Sequence, residues 1–76
     1  MNNERRKAIS KIRDDLASLY SDIEDLRDEE QEYLDNMPEN LQGSEKYATA
    51  EDAVTNLDDA LNSLDEVCDY LDSATE

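Results

Sequence analysis

Histidine, tryptophan and phenylalanine are absent from these 76 residues, and cysteine, glycine and proline occur once each. With no histidine and Cys68 alone, neither a disulfide framework nor a His- or Cys-based zinc site can be assembled. No Ser/His/Asp set, no Gly-rich phosphate loop and no basic-aromatic stripe is present. Carboxylates abound, but without a concave pocket they make no acid–base site. Neither an enzyme nor a cofactor is expected. Long apolar runs are missing too: no stretch approaches the ~20 residues of a membrane span. The basic start, Met1 to Lys7, has no apolar run behind it. The expectation is a soluble, cytoplasmic protein of one small domain with no membrane partner.

Basic residues are also scarce, 7 Lys and Arg against 22 Asp and Glu, for a net charge of −15. Such polarity is compatible with disorder, but the apolar pattern argues for helices. From Ile9 the series runs Ile9, Ile12, Leu16, Leu19, Ile23, Leu26, Tyr33, Met37, broken only by Glu30. The second half repeats it with Tyr47, Ala50, Val54, Leu57, Leu61, Leu64, Cys68, Leu71. Alternating steps of three and four are the coiled-coil signature. Between the halves the periodicity stops. Asn36, Pro38 and Glu39 have capping-box spacing for a short turn, Gly43 offers a backbone free to take positive φ, and Ser44 can cap a second helix. The fold expected is all-α: an antiparallel two-helix coiled-coil hairpin, with helices at about 3–35 and 45–74 joined by a turn at about 36–44.

A register test supports pairing. Matching Ile9 with Leu71, Ile12 with Cys68, Leu16 with Leu64, Leu19 with Leu61, Ile23 with Leu57 and Leu26 with Val54 keeps one constant sum of residue numbers. Half of that sum falls in the turn. In heptad terms, position e of the first helix holds Arg6, Arg13, Tyr20, Arg27 and Leu34, and position e of the second holds Glu51, Asp58, Asp65 and Asp72. Antiparallel pairing sets e against e, so the expected ion pairs are Arg6–Asp72, Arg13–Asp65 and Arg27–Glu51. Each is worth roughly 0.5 kcal/mol, and together they oppose the wrong topology. Glu30 falls on the seam opposite Ala50, with Arg27 or Lys46 as local partners. Cys68 reads as a small buried hydrophobe. Met37 and Leu41 are placed to cover the end of the hairpin.

A two-helix hairpin buries only one stripe per helix, and small domains without disulfides or metal usually need more. Position g of the second helix holds Ala53, Ala60, Val67 and Ala74, which widen its apolar stripe. These residues are expected to mediate self-association into a homodimeric four-helix bundle. The plainer reading is that Ala is a good helix former.

Acids recur along the second helix as Glu51-Asp52, Asp58-Asp59, Asp65-Glu66 and Asp72, about 10 Å apart. With Tyr70 they form the candidate partner-binding face, aimed at a basic protein surface such as that of a nucleic-acid-binding protein. Duplex DNA carries one charge per about 1.7 Å. Two hairpins side by side, each about 50 Å long, would match that density, so the face qualifies as a DNA mimic. Direct binding to nucleic acid is opposed by like charge. The alternative is a structural coiled coil whose acids only solvate it. No Asp-x-Asp-x-Asp-Gly loop is present to hold Ca²⁺.

The segment Asn36-Met-Pro-Glu-Asn-Leu-Gln-Gly-Ser-Glu45, after Met-Asn-Asn-Glu-Arg-Arg-Lys-Ala-Ile9 and before the acidic heptads, resembles small acidic helical-hairpin proteins of unassigned function. Those are carried by Gram-positive bacteria, their phages and mobile elements. The resemblance brings no catalytic residues. It implies a phage-type protein acting on a host machine, such as an inhibitor.

Overall fold

The computed structural model describes residues 1–76 as two long helices, α1 (Asn3–Asp35) and α2 (Glu45–Ala74), joined by a 3₁₀ turn at Glu39–Leu41. The helices pack on each other along their length. The molecule measures 59 × 15 × 13 Å. Each helix starts on a side-chain cap. Asn2 Oδ1 accepts from the Arg5 N–H at 2.8 Å, and Ser44 Oγ accepts from the Tyr47 N–H at 3.3 Å. Both caps satisfy donors that the first helical turn leaves free.

The turn is built differently from the sequence expectation. Asn36 does not cap the short helix; its own N–H closes α1 by donating to the Glu32 carbonyl at 3.0 Å. Pro38, with φ of −57°, starts the 3₁₀ turn without any side-chain cap. The chain then reverses through right-handed turns, Leu41 N–H to Pro38 O at 2.9 Å and Ser44 N–H to Leu41 O at 3.0 Å. Gly43 does not enter the positive-φ region.

Helix α2 supplies most of the core: Ala50, Val54, Leu61 and Cys68 are buried, joined by Met37 from the turn. Leu57, Leu64 and Leu71 are half-buried. Helix α1 has no fully buried residue, and here the a/d seam needs correction. Its a positions Ile9, Leu16 and Ile23 are half-buried, and so are the e positions Arg13, Tyr20, Arg27 and Leu34. The d positions Ile12, Leu19, Leu26 and Tyr33 are 49–57% exposed.

The lengthwise register agrees with expectation. Arg13 shares a cleft with Cys68, Tyr20 another with Leu61, and Glu30 a third with Ala50. What differs is rotation: α1 presents a and e to α2 rather than a and d. Arg and Tyr carry apolar stems long enough to cover a seam while their polar tips reach outward. Rotation the other way would have pressed the g-position acids Asp15, Asp22 and Glu29 toward α2.

Candidate functional site: two unlike faces of one hairpin

The rotation of α1 gives the hairpin a tied face and an open face. On the tied face Arg13 Nε meets Asp72 Oδ1 at 3.1 Å, and Arg27 Nε meets Asp58 Oδ1 at 2.8 Å. Arg27 Nη2 adds a second bond to Asp58 Oδ2 at 3.4 Å, making a two-pronged contact. Between these pairs the Tyr20 phenol stands beside Asp65. At the open end Arg6 Nε donates to the Thr75 carbonyl at 3.3 Å.

Each arginine therefore bonds a residue further toward the α2 C-terminus than expected. Arg6–Asp72, Arg13–Asp65 and Arg27–Glu51 are not formed. The reason is the tilt of helical side chains toward their own N-terminus. In an antiparallel pair Arg13 leans toward the C-terminal end of α2, while Asp72 leans back to meet it; Asp65 leans away. That tilt is the signal the heptad argument omitted.

The same neighbours shift the titrating groups. The hydrogen bond that Arg13 donates to Asp72 is the largest influence on Arg13, and the one that Arg27 donates to Asp58 is the largest on Arg27; each holds its guanidinium above the ordinary value against some desolvation. Tyr20 is raised first by burial and then by the negative charges of Asp65 and Glu24.

The candidate partner-binding residues consequently divide. Asp58 and Asp72 are engaged across the hairpin, and Asp65 faces Tyr20. Asp52, Asp59 and Glu66, one position further round α2, are exposed and make no ion pair, as is Glu51 nearer the seam. Tyr70 is 75% exposed, on the far side of α2 from the tied edge. Glu30 forms no ion pair with Arg27, which is occupied by Asp58 and Asp28, nor with Lys46. It lines a groove of about 490 Å³ near the turn together with Tyr33, Lys46, Thr49 and Ala50.

That groove is the turn end of the open face. Ile12, Leu19, Leu26 and Tyr33 run along α1 at seven-residue intervals, spanning about 31 Å at 1.5 Å per residue. Across from them α2 contributes the half-buried Leu57, Leu64 and Leu71 and its g positions, of which Ala53 is half-buried and Ala60, Val67 and Ala74 are exposed. The rims differ. On α1 the next positions outward are Asp15, Asp22 and Glu29; on α2 they are the uncharged Thr49, Asn56, Ser63 and Tyr70. The exposed α1 stripe was missed from sequence because its residues were assigned to the seam.

Fold and faces together define an acidic antiparallel helical hairpin with one ion-paired edge and one open apolar edge. The chain matches no protein-family model, no curated protein and no solved structure. No helix is long and apolar enough to cross a membrane.

Proposed function

We propose that this chain is a non-enzymatic interaction module that docks a basic surface of another protein, of the kind that otherwise holds nucleic acid. The observation that carries this reading is the set of unpaired, exposed carboxylates. Asp52, Asp59 and Glu66 stand about two helical turns apart on α2, with Glu51 beside them, in a molecule of net charge −15. Over the 59 Å length this is one net charge per about 4 Å, near the 3.4 Å of one nucleic-acid strand and well below duplex density. A single hairpin thus imitates a strand better than a duplex. In a phage setting such a module acts as an inhibitor that occupies a host protein's nucleic-acid groove.

The second reading is a structural coiled coil in which two hairpins form a four-helix bundle and the acids only solvate it. The open apolar face, including Ala60, Val67 and Ala74, favours this reading. Binding to a purified basic nucleic-acid-binding protein in a salt series separates the two. Binding lost by about 0.5 M salt, where screening falls within a few ångströms, and competed by single-stranded DNA supports the module. Salt-indifferent self-assembly without such binding would establish the scaffold instead.

A further inference from the structure

We infer that the open apolar face receives an amphipathic helix of another protein carrying lysine or arginine along one flank. The inference rests on the reading of the chain as a module for basic partners, and it adds to the outer acids of α2 a groove between the helices where the partner's apolar side lies. Three observations converge on it. First, the face has the shape of a missing helix: an apolar stripe of Ile12, Leu19, Leu26 and Tyr33 opposite Leu57, Leu64 and Leu71, with Ala53 and Ala60 small enough for close approach. A third helix laid there completes a three-helix core through the same heptad spacing. Second, the rims are charged on one side only. Asp15, Asp22 and Glu29 repeat at the pitch of the stripe on α1, whereas Thr49, Asn56 and Ser63 on α2 carry no charge. A helix basic on one flank and neutral on the other is complementary to both. Third, the stripe has a cation at its open end, where Arg5 continues the d series, while the groove at its turn end is lined by Glu30 and Glu45 together with Lys46. The acidic rim therefore ends at Arg5 and runs on to the turn groove, and the occupant's basic segment matches the roughly 21 residues between Ile12 and Tyr33.

A second copy is the competing occupant, and charge disfavours it. A two-fold packing of open faces can stack α1 on α1, which sets Asp15, Asp22 and Glu29 against their own copies. Otherwise it stacks α1 on α2 and brings the two turn ends together. There residues 27–53 carry nine acids against Arg27 and Lys46.

The test uses the full chain and a synthetic 21-residue helical peptide with leucine at a and d, lysine along one flank and glutamine elsewhere. Fluorescence anisotropy in 0.1 M salt should show saturable 1:1 binding. The triple variant Asp15→Asn, Asp22→Asn, Glu29→Gln should bind about tenfold more weakly, while Asp14→Asn, Asp35→Asn, Asp69→Asn, which removes three exposed acids outside both the groove and the outer acidic face, binds as the parent does. Leu19→Ser with Leu26→Ser should abolish binding while circular dichroism shows the hairpin intact, since both side chains are already more than half exposed.

Equal weakening by the two triple variants would overturn the groove and keep the basic-partner reading. So would undiminished binding of a peptide with glutamine in place of leucine. No binding of any lysine-bearing peptide would overturn both. A stable dimer at ten micromolar by light scattering would assign the face to a second copy.

Discussion

At Gly43 the backbone stays out of the positive-φ region, and nothing lies within 4 Å of the place a Cβ would occupy. Alanine there restricts the unfolded chain without straining the folded one. Gly43→Ala should therefore raise stability by about 0.4–1 kcal/mol in thermal melts, where a left-handed glycine would have shown a loss. Tyr20 makes a second expectation at this scale. Its phenol is held above the ordinary value of 10.0, first by burial and then by Asp65 and Glu24. A group whose folded value is raised binds its proton more tightly in the fold. Its contribution is complete below the ordinary value and fades as pH rises through the folded one. As pH rises through and above the ordinary tyrosine value of about 10, the parent should lose melting temperature faster than Tyr20→Phe, which has no phenol to ionise. Parallel curves would refute the assignment. Single residues were unevenly legible in the sequence. Ser44 as a cap and Cys68 as a buried hydrophobe follow from local chemistry and from position in the heptad. The backbone of Gly43 does not, because glycine permits a left-handed conformation without requiring one.

Between the helices, the heptad made the antiparallel hairpin and its lengthwise register readable, since the spacing of Ile9 to Leu26 and of Val54 to Leu71 is set by helix geometry alone. The rotation of α1 was not readable. Heptad assignment treats position e as a polar flank, yet Arg13, Tyr20 and Arg27 combine an apolar stem with a polar tip and compete with the d leucines for the seam. A double-mutant cycle distinguishes the two arrangements. Arg13→Ala with Asp72→Ala should show a coupling of about 0.5 kcal/mol in urea unfolding, as expected for an exposed pair. Arg13→Ala with Asp65→Ala should be additive. A coupling of similar size in the second cycle and none in the first would restore the pairing expected from sequence. Of the candidate site, the carboxylates at seven-residue intervals were visible at once. Which of them remain free was not, because that depends on side-chain tilt.

Over the whole molecule, charge and apolar surface act against each other. At neutral pH a net charge of −15 opposes the approach of a second copy to the half-exposed Ile12, Leu19, Leu26 and Tyr33. Acidification toward the isoelectric point near 4.1 removes that repulsion. The chain should be monomeric by light scattering at pH 7 and self-associate near pH 4, and Leu19→Ser with Leu26→Ser should suppress the acid-induced association. Association unaffected by those changes would mean that some other surface mediates it. The tied face has a mechanical consequence. Every side-chain hydrogen bond between the helices, from Arg6 to Thr75 down to Arg27 and Asp58, lies along one long edge. That edge behaves as the spine of a book. Along the opposite edge, between the Leu19 and Leu64 pages, no side-chain hydrogen bond joins the helices, so separation is resisted by ion pairs at the spine and by apolar packing alone at the fore-edge.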